Sequence, residues 1–561
     1  MVHRRSIWLI HGGLLKLSNK IKILSGINAN SSCFTLARRV VMAGGGLYIL
    51  VAYGSQNVIL SGNPDFTYFY TVMKKYSHFA FESVTVPLEG PQELFFDQPI
   101  QLRAKIQRVG DLLTDLYFTF TLPDIYSKYV SAGTRTSQYE FQWVRYIGAQ
   151  IIQQASFLVG GTLVQQFDSD YIIATAFTDQ DETQYNKWQS LVGDIPELYD
   201  PANGKYSGIV GSNTTRTGGL YPNVYGDPTV TGPQNNFPSI PGRDITVPLS
   251  FWFTQSPTLA LPLIALQYHE CEVQLILRPI QDLYTILDVN GYRVRPENEV
   301  VATTSQKESG NVTYKSNTES GMYIRQYLTD VGYTAPILNT WPLNPRLQTT
   351  QVFLTDDERS TFATKPLNYI VRQVTPYLFP SVTSRQLFEL FTHNPVPRLI
   401  VVPRRSDSVA NRNAWTNYTN WWLYPAAPFI PTASAIPIGG SSGLNGVGIQ
   451  QDIIRQVRIL CDGNEIQEIK PLQYFNELSS WKYAAGVFPS GLAIYSFALD
   501  TSKWTKPSGT LNTSRVKKFQ IDLDIWPLRN DTTYTYNHIV YVESLNFFVV
   551  EGGMGGMKYA T

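Results

Sequence analysis

The sequence predicts an all-β protein in which two similar β-domains follow one another along the chain. Aromatic residues make up 13% of the 561 residues and charged residues only 16%, a composition that favours strands with large buried contacts over solvated helices. The 34 prolines and 40 glycines supply many turns. A hairpin pattern that occurs once in each half of the chain indicates the duplication, and the length calls for two or three domains.

The repeated pattern is "IIQQASFLVGGTLVQQ" over residues 151–166 and "IIRQVRILCDGNEIQE" over residues 453–468. The copies align without gaps at an offset of 302 residues and share six identities in sixteen positions. In each copy one apolar set alternates with a second set that is mostly polar, which is the period of a strand with one buried face. The pairs "GG" and "DG" then stand at matching places and suit two-residue hairpin turns, because these turns need positive φ. Each copy predicts a β-hairpin, with Phe157 and Ile459 on the core faces.

Other strands and a few helices follow from the same reasoning. Residues 116–122, "LYFTFTL", and 519–525, "FQIDLDI", alternate with period two and predict strands. The strongest helix signal covers residues 355–363, where Thr355 and Glu358 have capping-box spacing, and a weaker one covers residues 181–192. We interpret three long segments as ordered surface loops, because they are rich in Gly, Pro, Ser, Asn and Thr. They are residues 196–243, 279–347 and 404–450.

Charge and cysteine content narrow the function classes. The chain carries 45 basic and 44 acidic residues, which argues against a general nucleic-acid binder. Three cysteines do not make a disulfide framework and indicate folding in a reducing compartment. The longest candidate for a membrane-spanning helix, residues 40–64, is broken by glycines and polar residues and does not predict such a helix.

Six segments resemble the major capsid proteins of nucleocytoplasmic large DNA viruses, with the closest likeness to the phycodnavirus and iridovirus proteins. They occur in the family's order and are listed here: "SGNPDFTYFYTVMKKYSHFAFES" (61–83), "GDLLTDLYFTFTLP" (110–123), "FTQSPTLALPLIALQYHECEVQL" (253–275), "VFLTDDERSTFA" (352–363), "YSFALDTSKWTKPSGTLNTSRV" (495–516) and "GGMGGMKYA" (552–560). The resemblance implies two tandem eight-stranded antiparallel jelly rolls, a double jelly roll, with long surface loops and few short helices. The repeated hairpin would then be the same pair of strands in each roll.

The resemblance also implies the division of the chain into domains. We expect a base segment at 42–65, the first roll at 66–355, an interdomain helix at 356–363, the second roll at 364–548 and a C-terminal tail at 549–561. The first roll is longer than is usual in the family, through residues 196–243 and 279–347. Residues 1–41 have no counterpart in the family.

This leader differs from the rest of the chain in its charge. Residues 1–41 hold seven Lys or Arg and no Asp or Glu. We expect it to be absent from the mature fold, with Met42 as the first residue, since the resemblance begins there. An interior arm that binds membrane or genome through these charges is a rival interpretation, and a transit peptide is a third.

Two places are candidate contact sites. Lys74 and Lys75 lie in the segment that the family places at the capsomer base, facing the virion interior, where they would meet inner-membrane headgroups or acidic minor proteins; simple solvation of both is an equally good interpretation. Residues 413–425, "NAWTNYTNWWLYP", form a predicted outer loop with four aromatic candidates: Trp415, Tyr418, Trp421 and Trp422. They would contact glycans or, as we prefer, become buried at the contact between subunits.

No enzyme is predicted, and neither a catalytic residue, a metal ligand nor a cofactor is assigned. His269 and the acidic residues beside it fall on a strand, where neighbours point to opposite faces and do not converge on a metal. Asp356, Asp357 and Glu358 stand at a predicted helix start, where carboxylates complement the helix dipole. Nucleophile-elbow, phosphate-loop and dinucleotide-binding motifs are all missing from the sequence.

The resemblance implies a structural function. The chain would be a major capsid protein, assembled in the host cytoplasm, whose homotrimers form pseudo-hexagonal capsomers in the icosahedral shell of the virion. Its partners would be further copies of itself and the minor capsid and penton proteins, with the inner viral membrane as a further candidate and no specific nucleic acid. The alternative is a jelly-roll protein that binds glycans or a receptor as a minor component.

Overall fold

A computed structural model describes residues 45–71, 73–127, 140–201, 225–226, 236–288, 292–301, 312–330, 333–420, 429–430, 438–439, 451–503, 505–528 and 532–559. The described chain forms two compact units, one that ends at Tyr76 and one that begins at Ser77. The leader, residues 1–41, lies outside the described residues.

The first unit contains two short helices, α1 (Gly45–Val51) and α2 (Ser55–Ser61), and no residue of either is buried. Lys74 and Lys75 belong to the same unit and are exposed. Among the described residues, no helix is long and apolar enough to cross a membrane.

The second unit begins with a roll of eight antiparallel strands. Strands β1 to β8 are Phe79–Pro87, Ile100–Lys105, Leu112–Leu122, Ile152–Val159, Thr162–Phe167, Arg243–Pro248, Cys271–Leu277 and Arg346–Leu354. They form one sheet in the order β1-β8-β3-β6 and another in the order β2-β7-β4-β5, and the two-residue strand Leu261–Pro262 also pairs with β3. The non-sequential orders identify a jelly roll, in which consecutive strands are shared between two packed sheets.

A second roll follows with the same topology. Strands β9 to β16 are Leu367–Val382, Gln386–Glu389, Arg398–Arg405, Ile454–Cys461, Asn464–Pro471, Ala493–Ser496, Phe519–Ile525 and Tyr536–Glu551. Their orders are β9-β16-β11-β14 and β10-β15-β12-β13. A further strand, β17 (Met554–Met557), pairs with β16, so this sheet extends into the residues that the sequence assigned to a separate tail.

The repeated sequence is the same hairpin in both rolls, as predicted. It forms β4 and β5 in the first roll and β12 and β13 in the second, which are the fourth and fifth strands of each. Both turns have positive φ at both central residues, 57° and 78° at Gly160 and Gly161 and 51° and 81° at Asp462 and Gly463. This geometry matches the twist of the flanking strands, which explains why glycine and aspartate occupy these positions.

Helices are short and lie between strands. Beyond α1 and α2 they are α3 (Ile147–Gln150), α4 (Ser169–Asp179), α5 (Glu182–Val192), α6 (Pro196–Tyr199), α7 (Asp356–Thr364), α8 (Ser406–Arg412) and α9 (Ser479–Tyr483). A π-helical turn, Tyr474–Leu478, leads into α9, and 3-10 turns occur at Trp252–Thr254, Pro257–Leu259, Ile280–Asp282, Ser320–Met322, Ile324–Gln326 and Thr513–Arg515. Helices α5 and α7 confirm the two helix predictions, although the Thr355 side chain makes no capping hydrogen bond.

The surface-loop prediction is wrong for residues 279–347. Their described part forms small sheets from Tyr284–Leu287, Arg293–Val294, Asn298–Val301, Thr313–Ser316 and Trp341–Pro342, joined by Phe141–Trp143 and Glu93–Leu94. Tyr284, Ile286 and Trp341 are fully buried. Buried aromatic and β-branched side chains stabilise this region as part of the first core. The sequence did not reveal this, because the composition of the region is typical of loops.

Residues 404–450 also differ from the prediction at their start, because β11 and α8 occupy residues up to 412 and several residues up to Thr419 are buried. Farther on, the structure describes only Phe429–Ile430 paired with Ile438–Gly439. In 196–243 it describes α6, the pair Tyr225–Gly226 and Asn236–Phe237, and the start of β6. The remaining pair of short strands is Pro395–Val396 with Leu511–Asn512.

Each roll has its own apolar core, but the first core extends into the second roll. Phe157 is part of the first and Ile459 of the second, and both are fully buried as predicted. The first core also includes Ile400 and Val402 of β11 and Tyr541 of β16. These side chains lie on the face of their sheet that points away from the second core, so this sheet is covered on both faces.

Candidate functional site at the junction of the rolls

An extensively buried polar region lies at the contact between the two rolls, which we call the seam. It consists of α4 and β5 of the first roll packed against β9, β11 and β16 of the second. Helix α4 begins at Asp168, whose carboxylate accepts a hydrogen bond from the Tyr171 backbone N–H at 2.9 Å, as an N-cap does. Every residue of the helix from Ser169 to Thr178 is buried. Because it is covered all round, it lacks the amphipathic period that would have revealed it in the sequence.

Arg404 of β11 forms a bidentate ion pair across the seam. Its guanidinium donates to the two carboxylate oxygens of Asp170 at 2.6 and 2.5 Å. Both side chains are only 6% exposed. The Arg404 and Arg278 guanidiniums overcome the effect of burial and keep the pKa of Asp170 below its usual value, so this carboxylate stays ionised and paired.

Arg398, at the other end of β11, is fully buried and connects three elements. Its guanidinium donates to the carboxylate of Asp179, at the end of α4, at 2.5 and 3.1 Å, and to the Thr178 hydroxyl at 3.1 Å. It also lies 2.7 Å from the carboxylate of Glu543 in β16. Burial disfavours the charge, but Asp179 and Glu543 outweigh it and hold the pKa of Arg398 above its usual value. The Tyr171 hydroxyl donates to Glu543 at 2.7 Å and completes the group.

The edges of two sheets also meet at the seam. The Gln165 amide of β5 donates to the Arg372 carbonyl of β9 at 3.0 Å, and the Gln373 amide of β9 donates to the Val164 carbonyl of β5 at 3.0 Å. The two edge strands are thus joined by side-chain amides that satisfy backbone carbonyls. Exposed strand edges are otherwise open to pairing with other chains.

A cavity of about 420 Å³ remains beside these contacts, lined in part by Asp168, Asp170, Arg278, Arg404 and Tyr541. Burial, followed by the charge of Asp170, raises the pKa of Asp168 to about 6. Its carboxylate also accepts a hydrogen bond from the Tyr541 hydroxyl at 2.8 Å. Asp168 accepts a hydrogen bond from Tyr541 and Asp170 accepts one from Arg404, both residues of the second roll, so the two carboxylates bind one roll to the other.

The aromatic candidates from the predicted outer loop have different positions. The ring of Trp415 lies 4.0 Å from the Arg278 guanidinium, and its indole N–H donates to the Asp282 carbonyl at 3.0 Å. Tyr418 is 3% exposed and its ring lies 5.5 Å from the Arg404 guanidinium. Tyr418 is thus buried within the chain and Trp415 is half-buried, and a contact of either with a glycan or a neighbouring subunit stays a prediction. Trp421 and Trp422 lie outside the described residues.

The other titratable candidates have structural contacts. His269 pairs through Nδ1 with the backbone of Gly555 at 3.0 Å. Asp356, Asp357 and Glu358 occupy the first turn of α7, none of whose residues is buried. In the described part of the chain, no three His, Cys, Asp or Glu side chains come together as a metal site would require.

His538 of β16 predicts a pH effect on stability. Its side chain is fully buried, and neither ring nitrogen has a hydrogen-bond partner among the described residues. Burial lowers the pKa of His538 to about 4 from 6.5. As the pH falls from 6.5 to about 4, His538 takes up a proton in the unfolded chain but not in the folded chain. The free energy of unfolding therefore decreases.

We therefore expect His538→Leu to be more stable than the parent chain, by an amount that grows from pH 6.5 to pH 4 and reaches about 3 kcal/mol. Asp168 acts in the opposite sense over much of this interval, but it is present in both proteins and cancels in the difference. Denaturant unfolding of both proteins at several pH values measures the effect. A difference that is independent of pH would contradict it.

Comparison with known proteins places this architecture in a family. The family described as "Major capsid protein N-terminus" matches residues 67–323, and "Large eukaryotic DNA virus major capsid protein" matches residues 358–556. The chain is 25% identical over 582 residues to the major capsid protein of Phaeocystis pouchetii virus and 26% identical over 550 residues to that of Paramecium bursaria Chlorella virus 1, covering 92% of this chain and 99% of each relative.

Solved structures agree on the fold. PBCV-1 VP54, fitted into a reconstruction of the virophage Sputnik, matches with a TM-score of 0.60 at 20% identity, over 88% of this chain and all of that one. The Faustovirus major capsid protein matches with a TM-score of 0.55 at 13% identity, over 90% of this chain and 96% of that one. The two family matches divide between the two rolls, and the strand orders of both rolls are those of a double jelly roll: the chain belongs to the major capsid proteins of the large eukaryotic DNA viruses.

Proposed function

We propose that three copies of this chain form a ring of six rolls, a homotrimeric capsomer that tiles an icosahedral shell. The proposal rests on one observation, which is that the seam is half of a repeating contact. Within one chain, the fifth strand of the first roll meets the first strand of the second roll. The fifth strand of the second roll, β13, and the first strand of the first roll, β1, are the edge strands of the corresponding sheets in the opposite rolls.

Residues that are buried at the seam have counterparts at the free edges that are exposed. In β5, Val164 and Gln165 are each 1% exposed. At the repeat offset of 302 residues their counterparts in β13 are Ile466, which is 40% exposed, and Gln467, which is half-buried. Phe81 on β1 is 63% exposed, whereas Val371 on β9 is fully buried. Apolar side chains in edge strands are favourable binding surfaces.

A neighbouring copy supplies the missing cover when its first roll docks against the second roll of the preceding copy. Such a contact joins two different surfaces and closes into a ring only at a fixed number of copies. Three copies with two rolls each form six equivalent junctions around the ring, three within chains and three between them. The capsid shell would then be built from contacts between these capsomers.

The expected result is a homotrimer in solution, with three times the chain mass of 63.3 kDa. Native mass spectrometry or light scattering of the purified full chain measures it. A single monodisperse monomer at micromolar concentration would overturn the proposal, because exposed apolar edges of this extent require a partner.

We further propose that Lys74 and Lys75 contact acidic components beneath the capsomer, such as minor proteins or inner-membrane headgroups. Their exposure and charge support this. Reversing both charges should leave the trimer intact and reduce the yield of assembled particles, as counted by electron microscopy. An unchanged yield would assign the two lysines to solvation alone.

A further inference from the structure

We infer which surfaces form the junction between copies: the helical segment 474–483 of the second roll docks on the outer face of β3 in the first roll of the next copy. This inference rests on the trimer proposed above and assigns its contact residues. It follows from treating the seam within one chain as the template for the junction between chains.

The docking helix is identified by its place in the roll. Helix α4 follows the fifth strand of the first roll, and the helical segment 474–483 follows the fifth strand of the second. Aligning Tyr171 with Tyr474, at an offset of 303 residues, one more than in the hairpin, places Trp481 at the position of Thr178 and Lys482 at that of Asp179. Thr178 is buried in the seam, but Trp481 is 82% exposed. A tryptophan with this exposure, at a position that is buried in the other roll, marks an unfilled contact.

The receiving surface is found in the same way. Strands β3 and β11 are third in their rolls, and their core residues Leu116 and Leu399 align when the segments "DLYFTF" and "RLIVVP" are superimposed. Tyr117 then corresponds to Ile400, and both belong to the outer faces of their sheets. Ile400 belongs to the first core and is 2% exposed, whereas Tyr117 is half-buried.

The two alignments together place opposite charges on the two sides of each junction, one on the helix and one on the sheet. Asp115 takes the position of Arg398, and Lys482 takes the position of Asp179. Within the chain, Arg398 of the sheet pairs with Asp179 of the helix at 2.5 Å. Between chains, Asp115 of the sheet would pair with Lys482 of the helix, with the signs exchanged.

This exchange of sign selects the correct partner. The helix of a first roll, which carries Asp179, would meet Asp115 if it docked on another first roll, and like charges would oppose the contact. The helix of a second roll, which carries Lys482, would likewise meet Arg398 on another second roll. Only alternating first and second rolls bring opposite charges together, and this alternation is what a ring of six rolls from three chains requires.

The test uses two single variants of the full chain, one in each half of the junction. Trp481→Asp alters the helix and Tyr117→Asp alters the sheet face, so each variant alone should be a folded monomer. Mixing them leaves one intact junction, between the helix of Tyr117→Asp and the sheet of Trp481→Asp. The mixture should therefore form a one-to-one dimer that does not close into a trimer, as measured by native mass spectrometry.

Trp526→Asp is the matched control, because Trp526 is an exposed tryptophan in the same roll, 39% exposed and 5.9 Å from Arg455, and this variant should remain trimeric. If the parent chain is trimeric and Trp481→Asp stays trimeric, the inference is wrong and the trimer proposal stands. If the parent chain is monomeric, the trimer proposal itself fails. A mixture that stays monomeric would show that the two residues belong to different contacts.

If an aspartate variant does not fold, charge reversal provides the same test with smaller changes. Lys482→Asp should weaken the trimer, so that it dissociates at a concentration at least tenfold higher than the parent chain does. Combining Lys482→Asp with Asp115→Lys should restore the parent behaviour. A double variant that is no better than the single one would overturn the pairing.

Discussion

Phe157→Asp and Ile459→Asp are each expected to abolish folding. Phe157 packs against Phe251, Trp252 and Phe253 at ring-centroid distances of 5.4, 5.3 and 5.0 Å. Removing such a side chain costs about 3–5 kcal/mol, and an unpaired carboxylate in the same place adds several kcal/mol more. The sum is comparable to the whole stability of a typical protein, about 5–15 kcal/mol. Ile459 holds the equivalent position in the second core.

The measurement is the yield of soluble protein together with its thermal unfolding by circular dichroism. Gln101→Asp is the control, because Gln101 lies on the exposed face of β2 in the sheet that contains Phe157, and it should unfold close to the parent temperature. If both core variants fold with the parent melting temperature, the assigned faces of the two hairpins are wrong.

Arg398→Met is expected to destabilise the seam by about 3–5 kcal/mol, the usual cost of removing one partner from a buried ion pair. Methionine fills much of the same volume, but it leaves the Asp179 and Glu543 carboxylates without the guanidinium that pairs with both, and Glu543 keeps Arg372 as an ion-pair partner at 3.7 Å. Because Arg398 joins α4 to β11 and β16, the loss falls on the contact between the rolls. We expect a lower unfolding midpoint in urea.

Arg385→Met provides the comparison. Arg385 also pairs with a buried carboxylate, that of Asp522, but its own side chain is 45% exposed and Arg458 remains as a second partner at 2.7 Å. Pairs of this kind contribute up to about 1 kcal/mol. Equal losses from the two variants would show that burial of the pair is not what makes Arg398 important.

The sequence predicted the duplicated hairpin because that pattern is local. Alternation places Phe157 and Ile459 on one face of a strand, and a turn with positive φ selects Gly160-Gly161 and Asp462-Gly463. Helices α5 and α7 were predicted for the same reason, since their polar, helix-forming segments are visible in a short window. The double jelly roll followed from resemblance to a family, because no local signal fixes which strands of a sheet are neighbours.

The seam could not be predicted, because its partners are far apart in sequence. Asp179 and Arg398 are 219 residues apart, and Tyr171 and Glu543 are 372 apart. Helix α4 gave no periodic signal because it is buried on every side. Trp415 and Tyr418 lie in a loop-like segment, so the sequence indicated their aromatic character but not that Arg278 and Arg404 would contact them.

By itself, the sequence determined that the chain folds into two similar β-domains with buried aromatic cores, since alternation and turn chemistry act over a few residues. The tertiary structure alone decided which charges are buried and which edges are free. An arginine such as Arg398 is stable in the interior only when Asp179 and Glu543 are brought to it. An edge strand such as β13 exposes Ile466 because, among the residues that the structure describes, no strand of the other roll pairs with it. Both depend on contacts between distant segments, which the order of residues does not display.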